Sequence, residues 1–248
     1  MREIARDVAI VPGIIANAYL VGNADSWVLV DASIPGSHRK IVRAAEARFG
    51  RGTKPDAILL THGHFDHAGS AARLADRWAV RVHAHPLELP YLTGQADYPP
   101  LDTTGPGFFS KLARFFPSKT VNLSDRVTDF AGAFGEWETL ETPGHTPGHV
   151  SFFRRSDGIL LAGDALTTMD LDSFWGTLAK RPEVCRPPVP ATTDWEKARK
   201  SVELLASLWP SVIAPGHGVP MKGAAGALQS LAESFPVPEY GRYVGKAK

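Results

Sequence analysis

A chain of 248 residues, 44% hydrophobic and 21% charged, is long enough and apolar enough to bury a large core. Its net charge of +1 supplies no field that would draw nucleic acid or an anionic membrane surface. Its single cysteine, Cys185, excludes an internal disulfide and fits a reducing compartment, and no apolar run reaches the roughly 18 residues that a membrane span needs.

In chain order, residues 4–11 and 14–21 read as strands separated by Pro12-Gly13. A turn at Gly22-Asn23-Ala24-Asp25 precedes a strand over 27–30 that ends at Asp31. Pro35-Gly36-Ser37 opens a helix through Phe49, with Ile41, Val42, Ala45 and Phe49 on one face. The short apolar run 57–60 predicts a buried strand, and residues 68–77 predict a helix. A strand over 79–82 follows. His83 and His85 then repeat an H-x-H spacing, but Pro86 starts a helical stretch next and no acidic partner follows in ligand spacing, so they do not read as a metal site.

Residues 87–119 mix leucines and aromatics with Pro99-Pro100 and Gly105-Pro106-Gly107, which predicts an insertion of short helices with an apolar face. It is expected either to pack on the core or to form a lid in which Tyr91, Tyr98, Phe108 and Phe109 touch substrate. Strands follow over 126–130, 137–141, 150–153 and 158–162, then a Pro-rich loop over 166–190. Asp194 caps a helix through Leu208, 212–214 is the last strand, and 226–234 a closing helix. No linker interrupts the alternation, so residues 1–248 are expected as one domain, and the tail 240–248 reads as a frayed end.

The densest chemistry lies in His62-Gly63-His64-Phe65-Asp66-His67. Alternate side chains of an extended segment share a face, so His62 and His64 point the same way, while Asp66 and His67 fall at a strand-to-helix turn. Imidazole and carboxylate donors converging at a strand end suit zinc, iron or manganese. His145, Asp164 and His217 repeat the arrangement: each follows an apolar strand and sits beside a glycine.

This set, His62-x-His64-x-Asp66-His67 with His145, Asp164 and His217, resembles the metallo-β-lactamase superfamily over nearly the whole chain. The resemblance implies an α/β (α+β) fold, a four-layer αβ/βα sandwich of two mixed sheets with helices outside. It implies two divalent metal ions, zinc above all with iron or manganese as alternatives. His62, His64 and His145 would bind the first, Asp66, His67 and His217 the second, and Asp164 would bridge them. His149 matches a position outside the ligand set. The implied chemistry is hydrolysis by a metal-bridging hydroxide, with Asp66 also orienting or shuttling a proton.

Departures from named branches narrow the choice. The commonest zinc β-lactamases carry Cys where Asp164 stands. Glyoxalase II adds a long helical C-terminal domain, whereas 31 residues follow His217 here. Persulfide dioxygenases carry an Arg-rich stretch where this chain has Thr167-Thr168-Met169-Asp170. The lactonase-like and uncharacterised compact hydrolases remain. The expectation is a cytoplasmic enzyme that cleaves an ester, lactone or thioester of a small, partly apolar substrate, without nucleic-acid or membrane partners and with a homodimer left open. An iron-dependent oxidoreductase and a phosphodiesterase are the alternatives on the same fold, and a non-catalytic binding protein is a third reading.

Overall fold

The computed structural model describes residues 1–117, 121–130, 134–171, 173 and 182–245, with the side chains of Phe108 and Phe109 excepted. Its chain opens with a hairpin where the apolar run 4–11 predicts one strand. Strands β1 (Arg2–Ala5) and β2 (Val8–Val11) pair antiparallel across Arg6-Asp7, and Asp7 takes a left-handed φ of 58° that reverses the chain. The second expected strand, 14–21, is confined to β3 (Ala18–Gly22), while Ile14 stands 87% exposed in the preceding loop.

These residues gather into two compact units, one of Met1–Tyr98 with Lys119–Ala131, the other of Pro99–Ser118 with Gly132–Lys248. The first is built on a seven-stranded mixed sheet in sequence order: β1, β2, β3, β4 (Trp27–Val30), β5 (Ala57–Leu59), β6 (Val82–Ala84) and β7 (Val127–Asp129). Its first four strands are antiparallel, and β4 to β7 run parallel. Helix α1 (His38–Phe49) joins β4 to β5 and buries Ile41, Val42 and Ala45 of the expected face together with Ala44, while Phe49 is only partly buried. After β5 come α2 (Phe65–Ala68) and α3 (Ala71–Trp78). Leu74 of α3 is wholly buried, a contribution of about 1.5–3 kcal/mol over leaving it exposed. Helix α3 ends where Ala79 turns left-handed, and that closing turn starts the next strand at Val82 rather than at 79. Trp27 ties the helices to the sheet: its ring lies 4.8 Å from Phe49 and edge-on to Trp78 at 5.6 Å, and its Nε1–H donates to Thr53.

In the second unit the sheet order is β12 (Met221–Lys222), β11 (Val212–Pro215), β10 (Ile159–Gly163), β9 (Val150–Arg154), β8 (Trp137–Glu141). It too is mixed, because β10 and β11 are parallel while the other pairs are antiparallel. Both β9 and β10 are buried at every position; β10 accordingly reads as a continuous apolar run, whereas β9 carries the buried polar Ser151 and Arg154. Helices α6 (Trp195–Ser207) and α7 (Ala225–Glu233) bring Val202, Leu205, Leu228 and Leu231 into one core with Phe153, Leu160 and Ile213.

The stretch 87–119 does form short helices, α4 (Leu89–Leu92) and α5 (Phe108–Leu112) with single 3-10 turns, but it is divided at Tyr98-Pro99 between the two units. The tail is not frayed over its described part. Arg242 N–H donates to Asp102 Oδ2 at 2.6 Å, and the Tyr243 hydroxyl donates to the Pro100 carbonyl. Burial alone would raise the Asp102 pKa, but donors from Thr104, Arg242 and Gly105 outweigh it and hold the carboxyl below its usual range. A carboxylate with a lowered folded pKa stabilises above its unfolded pKa and loses that contribution as pH falls through the folded value. Tryptic cleavage after Arg242 is therefore expected to be slow in the parent chain and several-fold faster in Asp102→Ala. Equal rates would show that Asp102 does not anchor the tail.

Candidate metal centre

In the first unit the site residues stand at the carboxyl ends of two adjacent parallel strands, β4 and β5, where open sheets commonly place their sites. Strand β5 stops at Leu59, so His62 and His64 lie in the connection to α2 rather than on the strand itself. His64 still has extended backbone, with φ −60° and ψ 152°. The alternation therefore holds: His62 Nε2 lies 3.0 Å from His64 Nδ1. Asp66 and His67 fall in α2, as the strand-to-helix reading predicts, and ligand atoms of the two lie within 4.8 Å of each other.

Asp31 organises this set. It has a left-handed φ of 59° and is buried, with its backbone N–H donating to Leu59 O at 2.9 Å. Its Oδ1 accepts from Thr61 N–H at 2.9 Å, and its Oδ2 lies 2.8 Å from His67 Nδ1 and 2.9 Å from Thr61 Oγ1. A carboxylate accepts, so His67 carries its proton on Nδ1 and keeps the Nε2 lone pair. The Thr61 hydroxyl donates to Asp31, which leaves Thr61 Oγ1 to accept from His62 Nδ1 at 3.1 Å. His62 thus also keeps its lone pair on Nε2. Orientation of an imidazole through its far nitrogen is the arrangement that metal-ligating histidines use.

In the second unit His145 sits in the turn between β8 and β9, closed by Thr142 N–H to His149 O at 2.9 Å. Gly144 lets this turn seat on α6. Its φ is 131°, and a β-carbon there would collide with the backbone of Ala198. Gly144 O accepts from Thr193 and Asp194 N–H, both at 3.0 Å, and Asp194 caps α6 by accepting from Lys197 N–H at 3.0 Å. The Thr192 hydroxyl donates to Pro188 O at 2.8 Å, so its oxygen accepts from His145 Nδ1 at 3.3 Å. His145 Nε2 is then the lone-pair nitrogen, and it lies 3.5 Å from Asp164 Oδ2. His217, just past β11, brings Nε2 within 3.0 Å of the same oxygen. A lone pair held this close to a carboxylate oxygen repels it unless a proton or a cation lies between them, so the donor set fits a divalent ion.

His149 holds Asp164 from behind. Ser151 Oγ–H donates to Ala162 O at 2.9 Å, so Thr142 donates to Ser151 and accepts from His149 Nδ1 at 2.8 Å. That leaves His149 Nε2 to accept Asp164 N–H at 2.8 Å. Each proton in the chain is assigned, and the reading of His149 as outside the ligand set agrees with it.

Of the residues expected to touch substrate, Tyr91 is partly buried and stacks on Tyr98 with centroids 4.0 Å apart. Tyr98 is buried, and burial followed by the nearby Glu88 charge pushes its phenol well above the usual range, so it remains an O–H donor. Phe108 and Phe109 side chains lie outside the described residues. Among functional residues, sequence reasoning missed Asp31, Thr61 and Thr192. For Asp31 there was a signal, an acidic residue closing an apolar strand directly before the helix connection; for the threonines there was none.

The family model for the metallo-β-lactamase superfamily matches residues 11–217. The chain is 41% identical over 218 residues to a probable metallo-hydrolase, YflN, of Bacillus subtilis (strain 168), covering 84% of this chain and 83% of that one. It is 33% identical over 143 residues to a hydroxyacylglutathione hydrolase of Xanthomonas euvesicatoria pv. vesicatoria (strain 85-10), over 57% of this chain and 42% of that one. Among solved structures, the di-iron-bound form of TTHA1623 superimposes with a TM-score of 0.61 at 28% identity, covering 92% of this chain and 99% of that one. No described helix is long and apolar enough to cross a membrane. With its two mixed sheets and its histidine–aspartate sets, the chain belongs to the metallo-β-lactamase superfamily and is a metal-dependent hydrolase of that fold.

Proposed function

We propose that this protein is a binuclear hydrolase acting on an ester, lactone or thioester of a small substrate with an apolar portion. The observation that supports the metal assignment best is the orientation of His62, His67 and His145, each held through Nδ1 so that Nε2 is the coordinating nitrogen. By the motif they share with the family, His62, His64 and His145 would hold one ion, Asp66, His67 and His217 a second, and Asp164 would serve both. Zinc suits this nitrogen–oxygen set, and the iron in TTHA1623 makes iron the rival to be measured. Such ions supply Lewis acidity and bring the pKa of water from about 15.7 towards 7. Asp66 is half-buried at the start of α2, where it can take a proton from the attacking water and release it to solvent.

Acyl substrates are favoured over polyanions by what the chain offers. Net charge is +1, whereas a polyanion site recruits clustered Lys and Arg. Tyr91, in the first unit beside the exposed Leu87, remains the proposed aromatic contact for an acyl chain. Relatives named for hydroxyacylglutathione hydrolysis support a thioester within the same class. The experiment pairs elemental analysis with kinetics on acyl lactones, thioesters and aryl esters of increasing chain length, beside a bis-aryl phosphodiester. Two metals per chain are expected, with kcat/KM rising up to about fourfold for each CH₂ buried, the equivalent of about 0.8 kcal/mol. One ion or none would reject the binuclear centre. The phosphodiester turning over best, or no dependence on chain length, would reject the substrate class.

A further inference from the structure

Glu88 belongs to no part of the expected ligand set, yet it is completely buried. Its Oε2 accepts the Gly63 N–H at 2.9 Å and the Tyr98 hydroxyl. The same Gly63 N–H reaches Tyr98 Oη at 3.0 Å, so carboxylate and phenol share one donor. Gly63 stands between His62 and His64, and its Cα is packed so closely under Tyr98 Oη and Leu92 that a β-carbon would collide with both. The Tyr98 ring also lies 4.6 Å from the His64 ring, with Tyr91 stacked behind it. A carboxylate this deep is retained only where donors compensate its lost hydration. Here one of those donors is the peptide that separates two coordinating imidazoles.

We propose that Glu88 and Tyr98 are positioning residues that grip the Gly63 N–H and so fix the angle between the His62 and His64 rings for a shared metal ion. The role is structural toward the metal and involves no contact with substrate. It assigns the Tyr98 hydroxyl to the ligand turn rather than to a lid, and it rests on the metal-centre reading above.

The test uses the full chain, loaded with zinc for chelator competition and with cobalt(II) for visible spectra. Tyr98→Phe keeps the ring and removes the O–H. Glu88→Ala removes the acceptor. Glu88→Gln keeps a carbonyl oxygen that can accept from both the Gly63 N–H and the Tyr98 hydroxyl, and removes only the charge. Outer partners of ligands typically change metal affinity by 10–100-fold, so Tyr98→Phe and Glu88→Ala are expected to weaken zinc binding by about that factor and Glu88→Gln by less than about threefold. The cobalt d–d bands should shift in the first two variants and stay in place in the third. Should Glu88→Ala fail to fold, Tyr98→Phe alone carries the test. Parental zinc affinity and an unshifted cobalt spectrum in Tyr98→Phe, with or without a lower melting temperature of the metal-free chain, would overturn the proposal. A parent chain that holds no metal would instead reject the metal centre itself, so the two failures are distinct.

Discussion

Asp164→Ala is expected to lower turnover by at least about a thousandfold, since the Lewis acidity at stake is worth several kcal/mol and about 4 kcal/mol corresponds to that factor. Asp164 Oδ2 lies within reach of both His145 and His217, so one substitution removes the charge that both imidazoles face. Its backbone N–H, held by His149, survives the change, and a misplaced loop is therefore not the expected cause of the loss. Cys185→Ala is the matched control. Cys185 pairs with Thr167 through its backbone N–H and carbonyl, both of which alanine retains. Its activity should stay within about twofold of the parent, as for a substitution away from any special feature. Measuring kcat/KM and bound metal on both variants decides the matter. Comparable losses from the two would mean that the site lies elsewhere.

Removing Asp31 should be the most costly single change to the protein's stability among the site residues. In Asp31→Ala the buried His67 Nδ1–H and the Thr61 N–H lose their acceptor, and an unsatisfied buried donor costs about 1–3 kcal/mol. Alanine also fits the φ of 59° poorly, whereas asparagine tolerates it. Metal affinity should fall as well, by about 10–100-fold, because His67 loses the group that fixes its tautomer. Asp31→Asn keeps one carbonyl oxygen and the backbone conformation, so it should fall between parent and Asp31→Ala in both properties. Urea unfolding of the metal-free chains and chelator competition on the loaded ones separate the two effects. Parental stability in Asp31→Ala would contradict the hydrogen-bond assignment on which the His62 and His67 tautomers rest.

The proposed ligand residues could be picked out in the linear chain because their signals are local. His62, His64, Asp66 and His67 are close neighbours, and a strand-to-helix turn places them by short-range geometry alone. Asp164 and His217 each close an apolar run next to a glycine, and His145 follows Gly144 after the mixed strand β8, a pattern that names strand ends without knowing which strands are adjacent. The two-residue turn inside 4–11 was hidden because Arg6-Asp7 reverses the chain through a left-handed Asp rather than through Gly or Pro. The tail was hidden for a different reason. What anchors Arg242 is a carboxylate 140 positions away, and loop closure over such a distance leaves no periodicity to read.

The sequence by itself carried the order of strands and helices and the donor types near strand ends, since hydrophobic period and glycine placement are properties of neighbours along the chain, while the fold class followed from the resemblance those donors carry. The tertiary structure alone decided how each donor is held. Asp31 reaches His67 because β4 and β5 pair in parallel, and Thr192 reaches His145 because Gly144 admits the start of α6. Glu88 and Tyr98 meet at Gly63 because that residue has no side chain to exclude them. A hydrogen bond between distant residues depends on ångström-scale placement of packed elements, and no spacing rule along one chain specifies that.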